Sequence, residues 1–158
     1  MDTTWLTQKH LEAVLDIERR SFDQPWNEKD FQDTMRRNGV VGLAAFSGGE
    51  EDGRLTGFII YSLDKGHVTV LNLAVHPHFR RKRIGSALIK RVKEKLASGR
   101  RIRIVANVRE TNLAAQLFLR SQEFKCDAIL PRHYEEEPAY RFNYTLPVKY
   151  NTGVKELA

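Results

Sequence analysis

Residues 80–86 read Arg-Arg-Lys-Arg-Ile-Gly-Ser, four consecutive cations and one glycine before the apolar spacing of a helix begins. The run Leu73-Ala74-Val75 ahead of them has strand character and Pro77 closes it, so the chain is delivered into a helix starting near Gly85. The first amides of a helix have no carbonyl four residues back, and the helix dipole adds partial positive charge, so such a turn suits a phosphate. Glycine is needed there where the backbone approaches the ligand closely or takes a positive φ. One glycine is weak evidence by itself. On residue types alone three readings stand open: a nucleic-acid patch, a solvated face, or a cradle for one anionic ligand. A single cysteine, Cys126, and five scattered histidines provide neither an internal disulfide nor a metal cage, so no metal is expected.

The elements that must position this loop follow from composition and periodicity. With 158 residues, 41% of them hydrophobic, the chain makes one domain over residues 1–150 with a tail at 151–158. Its 26 Lys and Arg against 20 Asp and Glu leave a net charge of +6, which favours anionic partners of any kind. No apolar run approaches the roughly 18 residues of a membrane span, and the N-terminus lacks a cationic start with an apolar core; the expectation is a cytoplasmic protein with no membrane partner. The pattern carries no signal for oligomeric state.

Residues 8–20 read as an amphipathic helix behind Thr7, with Leu11, Val14, Leu15 and Ile17 on one stripe. A second helix starts at Asn27, with Asp30 at the capping-box position and Trp26 placed to staple onto Phe31; Asn38-Gly39 ends it. Phe22 and Trp26, on the loop between these helices, read first as rings that plug the core. From Val40 the period becomes that of strands: residues 40–47, the turn at 48–53, residues 55–64, and then 67–75. A helix over 86–96 buries Ala87, Leu88, Ile89, Val92 and Leu96. A strand at 101–108 follows, then a helix over 113–121 with Ala114, Leu117 and Phe118 inward, and strands at about 125–130 and 139–146. A meander followed by strand–helix alternation predicts an α/β fold with a mixed sheet and helices on both faces.

The stretch Leu-Asn-Leu-Ala-Val-His-Pro-His-Phe-Arg-Arg-Lys-Arg-Ile-Gly-Ser-Ala-Leu-Ile resembles the acetyl-CoA motif of the GNAT acetyltransferase superfamily: Arg or Gln, two variable residues, Gly, any residue, then Gly or Ala. Arg83 stands at the first glycine and Gly85 at the second. Residues 108–124, Val-Arg-Glu-Thr-Asn-Leu-Ala-Ala-Gln-Leu-Phe-Leu-Arg-Ser-Gln-Glu-Phe, resemble a second stretch of that family, whose asparagine falls at Asn112. Read alone, Asn112 is first a helix cap. Residues 18–31 and 132–144 are similar to the first loop and the tyrosine-rich hairpin of RimI-type protein N-terminal acetyltransferases.

The resemblance implies a GNAT fold of six to seven mostly antiparallel strands whose fourth and fifth strands splay apart, and acetyl-CoA as co-substrate. It assigns the pyrophosphate to the amides of Arg81, Lys82, Arg83, Ile84, Gly85 and Ser86, provided the φ of Arg83 is negative, and a cofactor contact to Asn112. Strand residues Leu73, Ala74 and Val75 would hold the pantetheine arm and thioester, satisfying unpaired main-chain groups as an added strand would. Phe22, Trp26 and Tyr134 would wall the acceptor side, where an amine attacks directly, and Glu135–Glu137 would attract a cationic acceptor or remain a solvated turn.

The chain departs from RimI-type enzymes where they carry a glutamate base and a tyrosine acid. Asn107 and Leu119 stand there, and neither exchanges protons usefully at neutral pH. Asn107 is then left to order a water that leads protons out, and Tyr134 is the candidate for the missing hydroxyl. Three functions compete: acetylation of a protein or peptide N-terminus, ribosome-associated in the RimI manner; acetylation of a small amine; and an acetyl-CoA-binding or partner-binding module that has lost catalysis. Direct nucleic-acid binding is not expected, because no RNA-binding motif accompanies the cations.

Overall fold

Alternation of apolar residues on both faces builds the centre of the molecule. In the computed structural model, which describes residues 2–48, 53–135 and 137–147, β2 (Val40–Ser47) and β3 (Arg54–Leu63) form the expected antiparallel hairpin. Residues 49–52 of its turn and the tail 151–158 lie outside the described residues. Leu55–Ser62 of β3 are buried without interruption, so this strand is covered on both sides. β4 (His67–Val75) pairs antiparallel with β3 and parallel with β5 (Arg103–Arg109), and the parallel step is made through helix α3 (Ile84–Lys93). Helix α4 (Leu113–Ser121) then leads to the hairpin of β6 (Lys125–Tyr134) and β7 (Glu137–Thr145). β7 inserts between β5 and β6. A strand not expected from the sequence, β1 (Asp2–Trp5), pairs with β2 at the opposite edge, which gives seven strands in the order β1-β2-β3-β4-β5-β7-β6. Four residues are too few to show a period; pairing with β2 defines them.

The two sides of the sheet carry separate cores. One joins Leu88, Ile89 and Val92 of α3 and Leu119 of α4 to Ile59, Tyr61, Ile104, Ala106 and Phe142. The other joins Val14 and Ile17 of α1 (Leu11–Ser21) and Phe31 of α2 (Glu28–Met35) to Ala44, Phe58, Ile60 and Ala74. The first helix differs from its expectation in detail: Gln8–His10 form a 3-10 turn and the α-helix proper begins at Leu11. α3 begins two residues before the expected start, at Ile84. The buried face of α4 is rotated from the expected one. Leu119 is 4% exposed and Leu117 58% exposed, because the groove between α3 and the sheet accepts the side of α4 carrying Ala115, Phe118 and Leu119.

Two irregularities in β4 open the sheet. Ile60 faces Asn72 while Tyr61 faces Val70, so Leu71 is an extra residue, a bulge. The pairing of β4 with β5 stops at Val70 opposite Ala106. Beyond that point Leu71–Val75 and Asn107–Arg109 continue as strands without pairing to each other.

Candidate active site

The splay between β4 and β5 leaves main-chain groups to be satisfied, and strand geometry says which. His76 N–H donates to Thr56 O at 2.7 Å on the β3 side. Main-chain groups alternate along an antiparallel strand, so Ala74 turns to β3 with His76, whereas Leu73 and Val75 turn theirs to the opening, where Val75 O is already taken by Arg80 Nε. Of the three strand residues expected at a cofactor, Leu73 and Val75 face the gap; Ala74 does not, and its side chain is buried in the core beneath α1.

At the end of β4 a short turn at Pro77–Phe79 leads to the basic run. Arg80 is held by the fold: its Nε donates to Val75 O at 3.1 Å and its guanidinium reaches Ser21 Oγ at 3.2 Å. Arg81, Lys82 and Arg83 are exposed. The expectation of a negative φ at Arg83 is overturned. Its φ is 62° and ψ 20°, the left-handed region, and Arg81 also has φ 62°. The backbone therefore keeps the conformation that favours glycine, at a strain of about 1–2 kcal/mol for a residue with a Cβ. Arg83 is the N-cap of α3 and offers no side-chain cap; the first amide satisfied inside the helix is Ala87 N–H, donating to Arg83 O at 3.0 Å. Ile84, Gly85 and Ser86 precede it, and their amides head the helix as an anion site requires. Gly85 has a packing reason to be small. A Cβ there would stand 3.1 Å from the ring of Phe118, so its absence lets α4 pack against α3. Ser86 Oγ accepts from Gln122 Nε2 at 2.9 Å and ties the same two helices. Asn112 caps α4 by accepting from Ala115 N–H at 3.1 Å, which leaves its NH2 as the group able to reach a ligand.

On the other side of the splay the structure brings Tyr134 and Asn107 together. Tyr134 Oη donates to Asn107 O at 3.1 Å, at the first β5 residue past the parallel pairing. The Arg109 guanidinium lies over the Tyr134 ring at 4.0 Å and the His133 ring stands edge-on at 4.7 Å. Burial pushes the Tyr134 hydroxyl above its usual range; Arg109 opposes this and Glu137 adds to it. Asn107 Oδ1 is buried with no hydrogen-bond partner, the kind of group an ordered water satisfies.

Glu135 and Glu137 do not act together. Glu137 accepts from Thr111 Oγ1 at 2.5 Å and pairs with Arg109 at 2.9 Å, and these bonds hold its carboxyl below the usual range. Glu135 is exposed at the hairpin turn with φ 56°, and Glu136 lies outside the described residues.

Phe22 and Trp26 are half-buried against the α1–α2 core rather than plugging it. The Trp26 ring meets Phe31 edge-on at 5.0 Å, the staple expected from their spacing. The capping box is present in both directions, Asp30 N–H to Asn27 at 2.8 Å and Asn27 N–H to Asp30 at 2.9 Å. Glu18, the first residue of the stretch that resembles the RimI-type first loop but given no role by that resemblance, lies beneath this loop. It is 2% exposed, and burial raises its pKa against the hydrogen bonds from Trp26 and Asn72 that lower it. Its position four residues after Val14, on the buried stripe, was the available signal.

Residues 11–124 match the model of the acetyltransferase (GNAT) family. The chain belongs to that family. Among curated relatives it is 31% identical over 133 residues to an uncharacterized N-acetyltransferase, MJ1530, of Methanocaldococcus jannaschii, covering 82% of this chain and 81% of the relative. It is 28% identical over 130 residues to the [ribosomal protein bS18]-alanine N-acetyltransferase of Salmonella typhimurium, covering 82% and 83%. Among solved structures, NAA60 of Arabidopsis thaliana in complex with acetyl-CoA superimposes with a TM-score of 0.77 at 21% identity, over 91% of this chain and 97% of that one. The GNAT member described here is thus an N-acetyltransferase by class, with the GNAT fold and acetyl-CoA as its co-substrate. Among the described residues no helix is long and apolar enough to cross a membrane, and no group of His, Cys, Asp and Glu is arranged to hold a metal.

Proposed function

We propose that this GNAT enzyme transfers acetyl from acetyl-CoA to the α-amine of a protein or peptide N-terminus, by direct attack in a ternary complex. The observation that carries the reading is the opening beyond Val70 and Ala106, with Leu73 and Val75 on one bank and Asn107, capped by the Tyr134 hydroxyl, on the other. An acyl group in that gap meets main-chain donors from β4, whose aimed N–H groups are the natural stabiliser of a developing oxyanion. The pyrophosphate goes to the amides at the start of α3, and Asn112 to the pantetheine arm. The amine approaches between Phe22, Trp26 and Tyr134. The relative that acetylates the alanine of ribosomal protein bS18 supports the acceptor class, and a ribosome-associated nascent chain in the cytoplasm is the proposed setting.

Proton balance favours an α-amine over lysine. With a pKa of about 7.7–8.0 roughly a tenth of an α-amine is neutral at pH 7, against about one part in 2,500 for a lysine near 10.4. An enzyme with asparagine in place of a glutamate base loses part of the roughly 100- to 10,000-fold that general acid–base help typically supplies, so turnover is slow. The proton leaves through a water on Asn107 Oδ1, and Tyr134 serves the departing thiolate. The small-amine reading weakens because Glu137, one of its attracting carboxylates, is already neutralised by Arg109.

Thiol release from acetyl-CoA against a panel of short peptides tests the proposal. Expected is turnover on free N-termini and none on the same peptides blocked at the N-terminus. Turnover on free polyamines or amino sugars alone selects the small-amine reading. Tight acetyl-CoA binding without thiol release above the uncatalysed rate selects the binding module.

A further inference from the structure

The α1–α2 loop and β4 meet at one buried carboxylate. Glu18 Oε2 accepts from Trp26 N–H at 2.9 Å, and Glu18 Oε1 accepts from Asn72 Nδ2 at 2.8 Å, a contact spanning 54 residues of sequence. Asn72, 8% exposed, is the first β4 residue after the Leu71 bulge and immediately precedes Leu73, whose main-chain groups face the splay. Val14 and Ile17, each at most 1% exposed, fix the helical turn that carries Glu18.

An apolar residue of the same volume would pack on this stripe without the desolvation that a buried carboxylate brings. What a carboxylate adds is direction, since its two oxygens hold two donors at once. We infer that Glu18 is a positioning residue: it clamps the loop bearing Phe22 and Trp26 to β4 at the bulge, and so sets where an acceptor amine stands relative to the thioester. The inference rests on the acceptor side proposed above. Glu18 touches neither the acceptor nor the cofactor in this arrangement; it acts through the Trp26 backbone and Asn72.

The clamp is tested by exchanging its chemistry. Glu18→Leu keeps the approximate volume and removes both acceptors, so Trp26 N–H and the Asn72 amide lose their shared partner. Glu18→Gln is the conservative rescue: its carbonyl oxygen accepts from Trp26 N–H and its NH2 donates to Asn72 Oδ1 once the Asn72 amide turns over. Asn72→Ala leaves the Trp26 bond and removes only the tie to β4, which serves if the first variant folds poorly. Amide hydrogen exchange at Trp26, which needs no acceptor, is expected to rise about tenfold or more in Glu18→Leu and to stay near wild type in Glu18→Gln. In turnover, acceptor KM is expected to rise about tenfold in Glu18→Leu and in Asn72→Ala, with the acetyl-CoA Kd within about twofold of wild type, and Glu18→Gln to recover most of it. Unchanged Trp26 exchange in Glu18→Leu overturns the clamp. An unchanged acceptor KM in that variant, or an acetyl-CoA Kd that rises in parallel, overturns the positioning role. If wild type ignores peptides and uses a small amine, the acceptor proposed above fails, and the same KM comparison with that amine still decides the role of Glu18.

Discussion

Asn107 concentrates the chemistry at the scale of single residues. It stands where the RimI-type pattern has a glutamate, its Oδ1 is buried and unpartnered, and its carbonyl holds the Tyr134 hydroxyl. A glutamate there would be longer by one methylene and would place a carboxylate, able to take a proton, where Asn107 Oδ1 now has no partner. Asn107→Glu is therefore expected to raise kcat with N-terminal peptides by about 10- to 100-fold at pH 7, and pH–rate profiles check whether a new ionisation below neutrality accompanies the gain. The companion change, Leu119→Tyr, is a different matter. Leu119 is 4% exposed in the core between α4 and the sheet, so adding a ring and hydroxyl overpacks it. Residue types showed that both family positions had changed; only packing shows that Leu119 belongs to a core with no place for the ring.

At the scale of elements, the loop before α3 and the bulge in β4 define the opening. Local signals placed most of the helices well: Asn27 and Asp30 form their box, and α4 runs over Leu113–Ser121 behind the Asn112 cap as its pattern predicts. Caps and staples are legible because their partners lie within a few residues. The handedness of Arg83 was not. Its φ of 62° follows from the path between the end of β4, tied down by Arg80, and the helix that must reach β5. If the backbone there needs the left-handed region, Arg83→Gly is expected to stabilise the fold by about 1 kcal/mol and Arg83→Val to destabilise it by about 1–2 kcal/mol, read as shifts in the urea midpoint at constant slope. Acetyl-CoA affinity measured on Arg83→Gly then separates the amide, which is kept, from the guanidinium, which is lost.

For the whole molecule, a net charge of +6 with Arg81, Lys82 and Arg83 exposed at a helix start predicts electrostatic capture of a polyphosphate ligand. Raising the salt from about 0.05 to 0.5 M is expected to weaken acetyl-CoA binding about three- to tenfold by titration calorimetry, and an affinity independent of salt would assign those cations to solvent. The sequence by itself determined the class of fold, the two apolar faces of the central strands, the cation-rich turn and the caps, because each depends on the period of side chains along one element or on partners within a turn. Tertiary structure alone decided the rest. It added β1 by pairing four residues to β2, rotated α4 so that Leu119 and not Leu117 is buried, and engaged Glu137 with Arg109 and Thr111. It also joined Glu18 to Asn72 across 54 residues and ended the β4–β5 pairing at Val70. These depend on which distant surfaces meet, and no local period encodes a meeting of that kind.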